Sequence, residues 1–296
     1  MSFFIKKLSI IGVGLIGGSL ARALKERDSV GHVVGINRTQ ESLQKAMELG
    51  VIDECTTDPV AGVAGANMVL VATPVRTIVP IIQAAAPGLM PGAVVTDAGS
   101  VKGSIVTACE AAMPPGVHFI GSHPIAGTEH SGVEASFATL FEGSRTILTP
   151  TPKTAVDALE QVRIVWEAVG SQVEIMDPRH HDQVLAATSH LPHLMAYNIV
   201  KTLSDLETDV KSEVFRFSAS GFRDFTRIAS SDPTMWRDIC LENRSAILDM
   251  ITRFGRDLDL LRDLVDRGDG ETLFGIFAQS RQTRDRVLHL NKGGRK

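Results

Sequence analysis

Residues 8–18 read Leu8-Ser9-Ile10-Ile11-Gly12-Val13-Gly14-Leu15-Ile16-Gly17-Gly18. A short apolar run leads into a GxGxxG spacing, and a helical pattern opens directly behind it. An apolar run of this length, broken only by Ser9, fits a buried strand. The first glycine permits a tight turn, the second lets backbone approach a pyrophosphate, and the third lets helix pack on strand. The helix N-terminus then offers unpaired N–H groups and a positive dipole end to phosphate. The spacing alone is a weak signal, but its position in the first βαβ unit strengthens it. The expectation is a dinucleotide site lined by Gly12, Gly14, Leu15, Ile16 and Gly17.

Further apolar runs follow at His32–Ile36, Met68–Ala72, Ala93–Thr96 and His118–Ile120, separated by turn residues and helical patterns. That alternation predicts a doubly wound α/β sheet. Residues 144–150 and Gln172–Met176 read as two more strands, with an amphipathic helix at 153–169 between them. Asp177-Pro178 punctuates the chain, and the strand pattern stops there. Residues 179–203 read as a helix interrupted by Pro192, and 234–265 as one or two long helices. The expected division is an α/β domain over 1–177 and an all-helical domain over 178–296. Ile247, Ile251, Phe254, Leu258, Leu261 and Val265 recur at spacings of four and three, a seam suited to helix packing. It is either the core of the helical domain or part of a dimer interface.

The bulk composition bounds the function. The 296 residues carry 30 Lys and Arg against 34 Asp and Glu, a net charge of −4. No basic surplus exists for a phosphate backbone, so nucleic acid is not an expected partner. The three cysteines, Cys55, Cys109 and Cys240, are scattered and odd in number, which fits reduced thiols rather than a disulfide framework or a zinc site. The N-terminal apolar stretch is too short for a signal peptide or a membrane span. The expectation is a cytoplasmic protein with no membrane partner.

The end of the second strand bears on which dinucleotide binds. An NAD site usually offers an acidic residue there for the ribose 2′-OH. This chain has Asn37-Arg38-Thr39. No carboxylate would repel a 2′-phosphate, Arg38 could pair with it and stack on adenine, and Asn37 and Thr39 could donate hydrogen bonds. NADP is therefore favoured over NAD. The rival is a solvated Arg38, with Asn37 alone holding an NAD ribose.

Ligands of open α/β sheets lie beyond the carboxyl ends of the strands. Thr73, Asp97 with Ser100, and His123 occupy those ends. His123 sits in Gly121-Ser122-His123-Pro124-Ile125-Ala126-Gly127-Thr128-Glu129, and a histidine can exchange a proton near neutrality. Ser100 could cap the following helix or point into the cleft. Lys102 reads as a solvated lysine or a phosphate neighbour, and His180 and His181 read as surface residues. Ser189 and His193 are four apart and share a helix face if Pro192 only kinks the helix. His193 is expected to face a cleft and His190 to pack. No Glu or Cys accompanies this pair in a zinc-like arrangement, so no metal is expected. In Gly221-Phe222-Arg223-Asp224-Phe225-Thr226-Arg227, a partly desolvated arginine would make a bidentate carboxylate clamp. An ordinary surface loop remains the alternative.

Six motifs in order resemble the prephenate/arogenate (cyclohexadienyl) dehydrogenases of tyrosine biosynthesis. They are the glycine-rich loop, Asp-x-Gly-Ser-Val-Lys (97–102), His-Pro-Ile-Ala-Gly-Thr-Glu (123–129), Ser-His-Leu-Pro-His (189–193), Gly-Phe-Arg-Asp-Phe-Thr-Arg (221–227) and Asp-Pro-x-x-Trp (232–236). The resemblance implies a Rossmann domain, a helical dimerisation domain, a homodimer, and oxidative decarboxylation of a cyclohexadienol with hydride transfer to NAD(P). It implies that His123 takes the proton of the ring hydroxyl and that Arg227 holds the ring carboxylate. Ser100 would orient His123 and lie near the cofactor, as would Thr73, and Ser189 would sit near the nicotinamide. Thr128, Glu129 and His193 would surround the substrate side chain, with Asp224 steering Arg227. The missing acidic residue after the second strand departs from the usual pattern and puts NAD specificity in doubt. The chain also leaves no room for an appended regulatory or mutase domain, so any inhibition by tyrosine would act at the active site.

Two other readings stay open on the residues alone. A β-hydroxyacid dehydrogenase or imine reductase would place a lysine on the interdomain helix. Here that helix offers histidines, and Lys201 lies beyond them. A nucleotide-binding sensor would bind the cofactor without turnover.

Overall fold

The computed structural model describes residues 4–128, 130–206, 216 and 220–292. Eight strands form one sheet: β1 (Ile5–Ile11), β2 (Val30–Ile36), β3 (Glu54–Thr56), β4 (Met68–Val71), β5 (Val94–Asp97), β6 (His118–Ile125), β7 (Arg145–Thr149) and β8 (Gln172–Ile175). Their order is β3-β2-β1-β4-β5-β6-β7-β8. The helices between them are α1 (Leu15–Glu26), α2 (Gln40–Glu48), α3 (Pro59–Val63), α4 (Val75–Ala85), α5 (Gly103–Ala112) and α6 (Val156–Ala168). The expected doubly wound α/β sheet is present.

Side chains alternate across the central strands as a two-residue period requires. Met68 and Leu70 of β4 join Leu8, Ile10, Leu24, Phe141 and Trp166 on one face. Val69 and Val71 join Ile11, Val95, Ile78, Ile82 and Ile105 on the other. Burial on both faces explains why these strands read as unbroken apolar runs.

Three details depart from the expectation. β3 is only three residues at the sheet edge, with no apolar run to announce it. β6 runs on to Ile125, past the expected end at Ile120. Its first half pairs parallel with β5, and residues 121–125 pair antiparallel with β7. His123 therefore stands inside a strand, opposite Ile147, rather than at the end of one.

After Asp177 the chain is helical: α7 (Pro178–Leu185), a π-helical turn at Ala186–His190, α8 (Leu191–Ser204), α9 (Ser220–Thr226), α10 (Pro233–Glu242), α11 (Arg244–Asp266) and α12 (Gly270–Lys292). Pro192 sits in the first turn of α8, where a missing N–H costs little, so the interruption takes the form of a π turn before it. α12 lies beyond the helices expected at 234–265.

The chain forms two compact units, Met1–Arg244 and Ser245–Lys296. Trp236 and Ile239 of α10 are buried in the sheet's second core, which places α10 with the first unit. In the second unit Ile251, Phe254, Leu258 and Val265 are exposed, as are Phe274 and Phe277 of α12. Among the described residues no helix is long and apolar enough to cross a membrane.

Candidate active site

The cofactor edge is built by three strand ends in register: Ile11 pairs with Val71, and Val71 with Asp97. Gly12 turns the chain at φ +98°, and a Cβ there would lie 2.5 Å from the Ala72 carbonyl oxygen. Only glycine fits that conformation and that approach. A Cβ on Gly17 would meet the Gly12 carbonyl oxygen at 2.5 Å, so the third glycine serves helix packing as expected. A Cβ on Gly14 would meet nothing within 4 Å, which leaves open space where a pyrophosphate would approach. No side chain caps α1, and its first N–H groups, from Leu15, Ile16 and Gly17, have no helical acceptor. Thr73 Oγ1 is buried without a hydrogen-bond partner among the described residues. An orphaned hydroxyl beside an open glycine turn and an uncapped helix fits a bound dinucleotide.

Asn37 Oδ1 accepts from the Val13 N–H at 3.1 Å, and its Nδ2 donates to Ser42 Oγ at 3.1 Å. The side chain thus ties the glycine-rich loop to α2. Thr39 donates to Ser42 Oγ at 2.9 Å, and Arg38 beside it is exposed.

Behind β6 lies a buried polar layer. Lys102 is fully buried, pairs with Asp97, and donates to the Ser122 carbonyl at 2.9 Å. This corrects the expectation of a solvated lysine. Asp97, itself fully buried, needs a counter-charge, and the long aliphatic stem of Lys102 carries one beneath β6. Asp97 also accepts from the N–H groups of Gly99 (2.9 Å) and Ser122 (3.1 Å), fastening the strand that carries His123.

His123 is 8% exposed. Burial holds its pKa well below the ordinary histidine value, and His181, Lys102 and His190 push it the same way. His123 Nδ1 lies 2.9 Å from His181 Nε2, and His181 Nδ1 lies 2.8 Å from Asp182 Oδ1. The expectation that His181 lies on the surface is corrected: it is fully buried, whereas His180 is exposed. Asp177 caps α7 through the N–H groups of Arg179 and His180, and Pro178, His181, Asp182 and Leu185 form its buried face. Those 3.6-residue intervals were the sequence signal that could have found His181 and Asp182.

Asp182 also accepts from the N–H groups of Lys102 (2.8 Å) and Gly103 (2.7 Å), capping α5 from a distant element. Ser100 is therefore not the cap; it stands half-buried in the turn before α5.

The third part centres on Trp236. His193 stacks on it, and His190 meets it edge-on at 6.0 Å. His190 is buried and accepts from Asn243 Nδ2 at 3.1 Å, consistent with packing. His193 is partly buried and donates from Nδ1 to the Ser189 backbone carbonyl at 2.9 Å, one turn earlier. Burial lowers the His193 pKa, and the Arg227 charge adds to that shift. Arg227 therefore lies within electrostatic reach of His193. Thr128 is exposed and accepts from the His130 N–H at 3.2 Å, and Asp224 is exposed on α9. Neither is hydrogen-bonded to the histidine cluster, and Glu129 lies outside the described residues.

A family model described as the nucleotide-binding domain of prephenate dehydrogenase matches residues 20–175, and one described as its dimerization domain matches 177–279. The chain is 38% identical to a cyclohexadienyl dehydrogenase of Zymomonas mobilis, covering 94% of this chain and 95% of that protein. It is 39% identical to a prephenate dehydrogenase of Bacillus subtilis, covering 96% of this chain and 76% of that protein. Among solved structures it is similar to prephenate dehydrogenase from A. aeolicus in complex with hydroxyphenyl propionate and NAD+. That match has a TM-score of 0.90 and 40% identity, and covers 97% of this chain and 100% of that one.

Proposed function

Because this chain belongs to the prephenate dehydrogenase family, we propose that it catalyses oxidative decarboxylation of prephenate, arogenate or both. The observation that carries the reading is His123, a buried histidine kept neutral at the carboxyl edge of the sheet that also bears the glycine-rich loop. A neutral imidazole there is poised to accept a proton from a ring hydroxyl. The nicotinamide, when bound, supplies the acceptor for the hydride leaving C4 of the ring.

His123 takes the hydroxyl proton as that hydride departs. The C–C bond to the ring carboxylate then breaks, CO2 leaves, and its electron pair completes the aromatic ring. His123 returns the proton to the same oxygen, so the base is regenerated each turnover. Arg227 holds the ring carboxylate until it departs, and Ser100 orients the hydroxyl against His123. Ser189, His193, Thr128, Glu129 and Asp224 complete the substrate pocket in this reading. Aromatisation makes the chemistry downhill, so the residues chiefly supply orientation and a base.

NADP is the preferred cofactor in this reading, with NAD possible. Arg38 is exposed just past the end of β2, residues 37–39 carry no carboxylate, and Asn37 is occupied with Val13 and Ser42. In this reading the functional boundary between nucleotide and substrate domains falls at 177/178, where the strands end and α7 begins. A homodimer through the C-terminal helices is supported by the exposed apolar residues of α11. Three free cysteines suit a reducing cytoplasm.

The test is a grid of prephenate and arogenate against NAD+ and NADP+, read by absorbance of the reduced nicotinamide. Turnover with at least one pair is expected. No reduced cofactor in any pair would leave a non-catalytic nucleotide-binding protein.

A further inference from the structure

We propose that His181 and Asp182 are positioning residues that fix the tautomer of His123, placing its proton on Nδ1 and leaving Nε2 as the basic nitrogen. The proposal rests on the reading of His123 as the catalytic base. Asp182 accepts from the backbone N–H groups of Lys102 at 2.8 Å and Gly103 at 2.7 Å, so its oxygens are acceptors. His181 Nδ1, 2.8 Å from Asp182 Oδ1, must then be the donor of that pair. A neutral His181 has its lone pair on Nε2. His123 Nδ1, 2.9 Å away, can only donate to it. The remaining nitrogen of His123 carries the lone pair and takes no hydrogen-bond partner among the described residues. The direction of each hydrogen bond thus follows from two backbone N–H groups at the start of α5.

The surroundings keep this chain in place. A Cβ on Gly103 would stand 2.7 Å from Asp182 Oδ2, so the carboxylate reaches the helix end because residue 103 is glycine. Asn243 Nδ2 donates to the Asp182 backbone carbonyl at 2.8 Å and holds the same turn from a further element. The charged and titratable groups facing the pair are Lys102 and Asp97 behind β6, which pair with each other, and His190 from the π turn.

The proton balance is simple. The substrate hydroxyl proton moves to His123 Nε2 and later returns to the same oxygen. The Nδ1 proton stays on His123 throughout, and no proton passes to His181 or Asp182. While His123 is an imidazolium, its Nδ1–H donates to a histidine whose far side is anchored on a carboxylate, which stabilises the transient charge.

The test is 15N NMR of the histidine rings in the full-length protein, combined with steady-state kinetics. Wild type is expected to show His123 with Nδ1 protonated and Nε2 bare. Asp182→Asn puts an amide where two acceptor oxygens are needed, so the acceptor at His181 Nδ1 is weakened and the Nδ1–H tautomer of His123 is no longer enforced, giving a measurable Nε2–H population. Its kcat should fall about 10²–10⁴-fold with the substrate KM within about two-fold. His181→Leu removes the acceptor and should give mixed tautomers with a kcat loss of about 100-fold. His181→Gln keeps an acceptor and should recover most of that loss. Gly103→Ala, which leaves both side chains in place but crowds Asp182, should fall between the two.

A wild-type proton on Nε2 would overturn the proposal. So would an His181→Leu protein that keeps the Nδ1–H tautomer and full kcat. Should His123→Asn turn over normally, the base reading itself fails. Should that variant be inactive while Asp182→Asn and His181→Leu behave as wild type, only the positioning role fails.

Discussion

His193 stacks face to face on Trp236, with ring centroids 3.7 Å apart and planes 21° apart. One ring comes from the first turn of α8 and the other from the first turn of α10, which itself packs on the sheet core. The stack holds His193 within reach of Arg227, which lies between the two helices in sequence and lowers the His193 pKa. Burial, with that cation adding to it, holds the His193 pKa down, and a guanidinium at this position is of the right chemistry to pair with a carboxylate.

Arg227→Ala should therefore raise the substrate KM by about 10–100-fold, the loss expected of one charge-assisted clamp. The kcat should fall less. Steady-state kinetics checks this, and an unchanged KM removes the clamp role.

His123→Asn should lose kcat by about 10²–10⁴-fold while substrate still binds. In the wild type the acid limb of kcat/KM should fall below the ordinary histidine value, because burial disfavours the protonated base. A pH profile with its inflection at or above that value argues against His123 as the titrating base.

Buried histidines also link stability to pH. Burial pushes the His190 pKa down to about 4, and its Nδ1 accepts from Asn243, so protonation would set two donors against each other. A depressed folded pKa gives stability that is complete above the unfolded value near 6.5 and is lost as pH falls toward 4. The loss attributable to this residue is on the order of 3 kcal/mol. Thermal melts between neutral and acidic pH should show the decline, and His190→Gln should flatten it. An equal slope in the variant rules out His190 as a source.

Lys102→Met should destabilise the fold by about 3–5 kcal/mol, because it strands the Asp97 carboxylate in a dry layer. Urea unfolding measures the change. A loss under about 1 kcal/mol would mean that Asp97 is satisfied by its backbone donors alone.

Arg38→Ala should lower kcat/KM for NADP+ by about ten-fold or more and leave that for NAD+ nearly unchanged, since only NADP+ carries the 2′-phosphate the guanidinium would pair with. Equal effects on both cofactors would reduce Arg38 to a solvated side chain.

The sequence by itself determined the sheet and its glycine-rich turn. Apolar runs of at most five residues bounded by turn residues are too short for buried helices and read as strands, and the glycine spacing marks a turn where Gly12 and Gly17 make approaches that a Cβ would block. It also marked His123, Ser189, His193 and Arg227, because each lies in a short motif. Residues whose roles depend on distant partners were decided only by the tertiary structure. Lys102 looked like a surface lysine until β5 and β6 closed over it against Asp97. His181 looked like one of two surface histidines until α7 turned it toward His123, 58 residues earlier. A local pattern fixes which face of an element is inward, but what that face meets depends on how the chain folds back. For His123 the strand placed the ring, and the contact with His181 decided which nitrogen faces away from the chain's own acceptor.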